Sequence, residues 1–183
     1  MRAEDVGLAG AMLVHMAPHG DDRGMLTETY DARAMAAIGI DTVFVQDIHS
    51  VSAPVGTLRG LHYQEPPAAQ AKLLRVLRGR ILDIFLDIRQ DSPTFGQHGG
   101  VELAGHDWKA IYIPIGFAHG FVTLEPDTEV AYKTSDHYAP DLAKGIAWDD
   151  PALDIDWRLG DHEPVLSGRD HDWPPFADHD PAF

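Results

Sequence analysis

Glycine and proline recur so often along this chain that long regular elements are excluded. The 183 residues include 17 glycines and 13 prolines, which divide the sequence into short apolar segments. Short segments separated by turn residues are typical of antiparallel strands rather than of long helices. The pattern predicts an all-β sandwich or closed barrel, formed as a single domain over residues 1–183.

One short helix interrupts this pattern, and the C-terminal part follows none. Asp31 is a suitable N-cap for the alanine-rich segment 32–38, and Gly39 stands where a helix end favours glycine. From Pro151 onward the periodicity is weak, which predicts an irregular segment wrapped over the barrel with a frayed end.

The clearest strands surround Gly79. Residues 73–77 and 81–88 flank this glycine and predict a hairpin. In the second strand every other residue from Leu82 is aliphatic, so that face is apolar. The opposite face includes Asp83 and Asp87, which predicts that it is only partly in contact with solvent.

Composition excludes several classes of protein. The 14 basic residues face 29 acidic ones, giving a net charge of −15, and such a surface repels nucleic acid and anionic lipid. The absence of cysteine excludes disulfides, thiolate metal sites and a cysteine nucleophile. No apolar segment approaches the ~18 residues of a membrane span, and the first residues lack a signal-peptide pattern. We therefore expect a soluble, cytoplasmic protein.

Three clusters carry groups capable of chemistry: residues 59–64 with Lys72 soon after, a histidine at 119 between glycines and aromatics, and Tyr132 at the end of a strand. Lys72 shares its strand face with alternating apolar residues, so it points inward, where a cation is costly unless it meets an anion. Arg59 and His62 would point to opposite faces of a straight strand. A shared site therefore needs a bend or a bulge, for which Gly60 is the suitable position.

A metal centre is not expected. A cupin-type site needs two histidines separated by one residue, a nearby glutamate and a later histidine, whereas this chain has glutamine at position 64, two residues after His62.

Taken together, these segments resemble the dTDP-4-dehydrorhamnose 3,5-epimerase family. The resemblance covers about residues 20 to 170 in the expected order. It is carried by residues 22–24 with Glu28, 44–47, 49–50, 56–64, 72–76 with Gly79, 87–89, 92–96, 112–121, 132–133, 138–140, 145–151, and 166–167 with Asp170. It implies a jelly-roll, cupin-like β-barrel without the metal. It also implies a homodimer formed by exchange of N-terminal strands, and a nucleotide-diphosphate 4-keto-6-deoxy sugar as substrate.

The resemblance also implies roles for individual residues. His62 would be the base, Asp170 would orient it, Tyr132 would be the acid on the opposite face, and Lys72 would stabilise the enolate that forms next to the ketone. Arg23 and Arg59 would bind the diphosphate, and Tyr138 would stack on the base. The other positions that match substrate contacts are Glu28, Gln46, Asp47, His119 and Arg169. Because side chains and water supply the protons, no cofactor is needed.

The chain departs from the family at positions expected to touch substrate. Ile48 replaces an asparagine, and Ala143-Lys144 replace an acidic residue followed by arginine. A lost hydrogen bond weakens binding by about 1 kcal/mol, so another nucleotide or sugar stays open as the substrate. An epimerase acting at C3 only, a non-catalytic sugar-binding barrel and a metal-dependent cupin are the remaining alternatives.

Overall fold

The computed structural model describes residues 1–179 and 182–183. Over this part of the chain it contains thirteen strands and one α-helix: β1 Arg2–Asp5, β2 Met12–His15, β3 His19–Asp21, β4 Gly24–Leu26, α1 Ala32–Ala37, β5 Gln46–Ser52, β6 Leu58–Gln64, β7 Lys72–Arg78, β8 Arg80–Asp87, β9 His98–Ala104, β10 Lys109–Ile113, β11 Phe117–Thr123, β12 Thr128–Thr134 and β13 Ala143–Gly145. The helix is capped as predicted, since the Asp31 carboxylate accepts a hydrogen bond from the Ala34 N–H at 2.7 Å.

Two antiparallel sheets form the body of the molecule. The six-stranded sheet has the order β1-β2-β10-β7-β12-β5, and the five-stranded sheet has the order β13-β6-β11-β8-β9. Apolar side chains of both sheets meet between them, including Leu74 and Val130 from one sheet and Phe85 and Phe121 from the other. This is the jelly-roll arrangement of two sheets around a shared core.

The outer faces of both sheets are also covered. Helix α1 places Met35 against the outside of the six-stranded sheet, where it packs with Leu73 and Tyr112. The irregular segment after residue 151 covers the five-stranded sheet with Leu153 and Trp157. Phe183 is tied down rather than frayed, because its carbonyl accepts from the Gln90 N–H and its ring contacts Tyr63.

The predicted hairpin at Gly79 is wrong. Strands β7 and β8 belong to different sheets, so Gly79 is the corner at which the chain crosses between them. The residue has a φ of +75°, and a Cβ there would lie 2.3 Å from the Thr128 hydroxyl oxygen. A corner and a hairpin turn both require such a glycine, and the sequence pattern does not distinguish them.

Strand β8 is buried on both faces, which corrects the prediction that its aspartate face is partly wet. Asp83 and Asp87 have no exposed surface. Asp87 accepts hydrogen bonds from Arg89, Ser92 and Thr94. Although burial alone raises the pKa of this carboxyl, these hydrogen bonds lower it to about 2. Asp83 instead faces the space between the sheets, next to the cavity described below.

Candidate active site

A cavity of about 400 Å³ opens between the two sheets. His62 and His119 reach it from β6 and β11 of one sheet, while Lys72 and Tyr132 reach it from β7 and β12 of the other. The irregular C-terminal segment closes one side with Asp170 and its neighbours. Side chains from opposite walls therefore face the same space, as a two-sided proton transfer requires.

A bulge in β6 brings Arg59 and His62 to the same wall. In the pairing of β6 with β11, His119 lies opposite His62 but Phe121 lies opposite Arg59, so β6 has one extra residue in this interval. Gly60 lies in the bulge with a φ of +139°, and a Cβ there would be 2.5 Å from the Gly120 Cα. The sequence expectation of a bulge at Gly60 is confirmed, and its consequence is that both side chains line the cavity.

His62 is hydrogen-bonded to a buried carboxylate. Its Nε2–H donates to the Asp170 carboxylate at 2.5 Å, and the Ser167 hydroxyl donates to the other carboxylate oxygen at 2.6 Å. Burial alone raises the pKa of the Asp170 carboxyl, but the hydrogen bonds from His62 and Ser167 lower it to about 2. Asp170 is thus an anion that only accepts, and this fixes the His62 tautomer with Nδ1 free to take a proton.

Lys72 lies behind this pair, on the inward face that its sequence parity predicted. Its ammonium donates to the His62 carbonyl oxygen at 3.2 Å. Burial lowers the pKa of Lys72 to about 8, while the negative charge of Asp83 opposes the decrease. The same burial raises the pKa of the Tyr132 phenol, which therefore stays protonated and can donate.

The cavity is a positive region in an acidic molecule. Among the residues that the structure describes, four cationic side chains line it, against the one carboxylate of Asp170. These cations are Arg59, Lys72, Lys144 and Arg169. Arg169 also donates to the Tyr138 hydroxyl at 2.9 Å, which joins two predicted substrate-binding residues at the cavity. The arrangement can bind an anionic ligand and exchange protons with it.

Four of the predicted site residues do not line this cavity. The Gln46 side chain accepts a hydrogen bond from the backbone N–H of Tyr138, so it contacts a residue that lines the cavity without lining it itself. Asp47 points to the other face of β5 because alternate residues of a strand face opposite sides, and there it pairs with Lys133 at 2.7 Å. Arg23 pairs with Asp21 on the exposed β3–β4 hairpin, and Glu28 is exposed just after it.

The departures from the family pattern do lie at the site. Ile48, Ala143 and Lys144 all line the cavity. Trp173, which sequence reasoning missed, lines it as well, with its ring edge-on to His62 at a centroid distance of 6.1 Å. The tail offers no periodicity that would identify Trp173. In the structure the Trp173 ring packs against Gly145, where a Cβ would lie 2.5 Å from the indole ring.

In residues 1–179 and 182–183, no group of three or more histidine, aspartate or glutamate side chains is arranged to hold a metal ion. The only α-helix in that part has six residues, so no described helix is long and apolar enough to cross a membrane.

One family of known proteins matches nearly the whole chain. The family model of dTDP-4-dehydrorhamnose 3,5-epimerase matches residues 5–178. The enzyme of that name from Pseudomonas aeruginosa is 45% identical over 181 residues, which is 98% of either chain.

Solved structures show the same likeness. The dTDP-6-deoxy-D-glucose-3,5-epimerase of Legionella pneumophila, in complex with dTDP-4-keto-L-rhamnose, is 40% identical with a TM-score of 0.91, covering 97% of this chain and 94% of that one. A 3′-monoepimerase from Streptomyces bikiniensis, in complex with dTDP-quinovose, is 36% identical with a TM-score of 0.86, covering 93% and 86%. This chain therefore belongs to the dTDP-4-dehydrorhamnose 3,5-epimerase family.

Proposed function

We propose that this protein converts dTDP-4-dehydro-6-deoxyglucose to dTDP-4-dehydrorhamnose by inverting C3 and C5. The observation that carries the proposal is the opposition of two walls, with His62 and Asp170 on one side and Tyr132 on the other. Inversion at a carbon requires a proton to leave from one face and another to arrive from the opposite face.

The chemistry follows from the ketone at C4. His62 Nδ1 removes the proton from C3 or C5, and the electron pair of the broken C–H bond moves into an enolate whose oxygen is the former ketone oxygen. The Lys72 ammonium stabilises that oxyanion, and the low dielectric of the cavity strengthens the interaction. Tyr132 then protonates the carbon from the opposite face, and exchange with water restores the proton of Tyr132 and releases the proton from His62.

Binding of the nucleotide follows from the positive lining. Arg59 and Arg169 are positioned to bind phosphate oxygens with forked hydrogen bonds. His119 lies deeper, and Tyr138 is half exposed at the cavity, where a flat side chain can stack on a base. Another nucleotide or sugar stays open as the substrate, because Ile48 and Ala143 line the cavity where a family member has polar groups.

The product identifies the reaction. Purified protein is incubated with dTDP-4-dehydro-6-deoxyglucose, the sugar is reduced with borohydride, and its configuration at C3 and C5 is determined by NMR coupling constants. We expect both centres to be inverted. Inversion at C3 alone would support the 3-epimerase alternative, and recovery of unchanged sugar would support a binding barrel without catalysis.

We also propose a cytoplasmic homodimer in which each copy supplies Arg23 and Glu28 to the cavity of the other. Both residues lie outside the cavity of their own chain, on or beside a hairpin that exposes 54% of Met25 and 72% of Leu26. An exposed apolar pair on a projecting hairpin is typical of a surface that is buried in an assembly.

Mixing two inactive variants tests this exchange. If Arg23 acts in the partner's cavity, subunits with Arg23→Ala and subunits with His62→Ala combine into mixed dimers that hold one intact site. A fully scrambled mixture should then recover about a quarter of the wild-type activity, since half of the dimers are mixed and each has one working site of two. No recovery, in a mixture shown by native mass spectrometry to contain mixed dimers, would contradict the proposal.

A further inference from the structure

Asp83 is a buried carboxylate that neither the sequence reasoning nor the comparisons assign to the site. It has no exposed surface, and it lies on β8 among Ile81 and Phe85, which belong to the central core. Moving a charged carboxylate into such surroundings costs several kcal/mol unless other charges compensate. A buried carboxylate of this kind needs compensation from hydrogen bonds or opposite charges around it.

The contacts of Asp83 point to the cavity. One of its carboxylate oxygens accepts a hydrogen bond from His119 Nε2 at 2.9 Å. The other oxygen is buried and has no hydrogen-bond partner among the described residues. Its negative charge acts on both His119 and Lys72. The Lys72 ammonium lines the same cavity as His119 and donates to the His62 carbonyl oxygen, and His62 lies opposite His119 in the pairing of β6 with β11. This places Asp83 where its charge can act on Lys72 without a direct hydrogen bond.

We infer that Asp83 is a positioning residue that keeps Lys72 charged as the counter-ion of the enolate and fixes the tautomer of His119. This inference rests on the proposed function, because it assigns Lys72 the enolate oxygen. Burial works against the ammonium, since it favours the neutral amine. Asp83 is the group that offsets this effect from the side away from the substrate, so it does not compete with the ligand for the cavity.

Lys72 has other charged and titratable neighbours. Those that line the cavity with it are Arg59, His62, Tyr63, His119, Tyr132, Tyr138, Lys144, Arg169 and Asp170. Asp170 is already held by hydrogen bonds from His62 and Ser167. The other positive charges at the cavity disfavour the charged form of Lys72, and neutral phenols supply no negative charge to stabilise it. Asp83 is therefore the anion whose removal should change the charge state of Lys72.

The test replaces Asp83 with asparagine, which keeps the shape and an acceptor for His119 but removes the charge. The ionisation of Lys72 is followed by NMR of protein labelled at lysine Cε, which is practicable because the chain has four lysines. In the wild type we expect a midpoint near pH 8, and in Asp83→Asn a midpoint lower by about one unit or more. This readout requires no turnover, so its failure is distinct from a failure of the proposed function.

Activity gives the second readout. The alkaline limb of the kcat profile should move to lower pH with Lys72. With a midpoint one unit lower, the charged fraction of Lys72 at pH 8 drops from about one half to about one tenth, so kcat at that pH should fall by about fivefold while the affinity for dTDP changes little. Asp87→Asn is the matched control, because Asp87 is equally buried on the same face of β8 but pairs with Arg89. It should lose stability and keep the wild-type pH profile.

A reciprocal variant keeps the inference testable if Asp83→Asn does not fold. In Lys72→Met, Asp83 loses its counter-ion, so a charged carboxylate is left in the core at neutral pH. Relative to the wild type, this variant should lose stability as the pH rises from 4 to 7. A Lys72 midpoint and pH profile unchanged by Asp83→Asn, or a stability difference that is constant with pH in Lys72→Met, would overturn the inference.

Discussion

His62→Ala should lower kcat by about 1,000-fold, the middle of the range for removing a general base. The alanine leaves Asp170 without the imidazole that it holds, and the proton acceptor of the mechanism is lost with it. Because His62 acts on the carbon skeleton rather than on the nucleotide, KM should change far less than kcat. Proton loss at C3 and at C5 should slow together.

The measurement is product formation at saturating substrate, with dTDP affinity determined separately by calorimetry. His106→Ala is the matched control, since the His106 side chain is 78% exposed and should be replaceable without effect. An activity in His62→Ala within tenfold of the wild type would show that another group is the base.

Tyr132→Phe should separate proton removal from inversion. The base is intact in this variant, so the hydrogens at C3 and C5 should still exchange with solvent. The acid on the opposite wall is missing, so the rate of inversion at C5 should fall by about 100-fold. Exchange without inversion is the specific signature, because a merely damaged cavity would slow both.

Both rates are available from one NMR time course in D2O, where exchange removes the proton signal and inversion gives the remaining protons the chemical shifts of the epimer. Tyr112→Phe is the control: its hydroxyl is hydrogen-bonded to Thr42 at 2.7 Å on the outer side of the six-stranded sheet. It should lose about 1 kcal/mol of stability and keep both rates. Equal inversion rates in Tyr132→Phe and the wild type would remove Tyr132 from the mechanism.

Local rules predicted several parts of this site from the sequence. Strand parity placed Lys72 inside, since a residue two positions before an apolar core residue shares its face. The conflict between Arg59 and His62 identified Gly60 as a bulge, because only an extra residue brings both to one face. The helix cap at Asp31 follows from side-chain chemistry alone.

Other features depend on contacts far apart in the sequence. Gly79 is needed at a corner just as at a hairpin, and the choice depends on which strands pair. The sequence predicts that Asp83 lies on a partly solvent-exposed strand face, because the contact with His119 that accompanies its burial comes from a distant strand. The strands before α1 are too short and polar to show a clear period, and Trp173 lies in a segment without regular structure. No local pattern encodes these positions.

The family resemblance identified site residues that the alternation of side chains along a strand could not identify. The pairing of Asp170 with His62 joins residues 108 apart in sequence, and no periodicity links them. The resemblance also proposed Arg23 and Glu28, which the geometry of a single chain leaves outside the cavity. In the proposed homodimer their contribution depends on a second copy, which is why the mixing experiment is informative.

The central claim is that one base in this cavity removes hydrogens from both carbons next to a ketone. The most direct test is the proton NMR spectrum of dTDP-4-dehydro-6-deoxyglucose incubated with the wild-type protein in D2O. The account predicts that the H3 and H5 signals both disappear as deuterium enters, while the H1 and H2 signals keep their intensity. Full retention of the H3 and H5 signals over many hours, with the sugar bound, would contradict it.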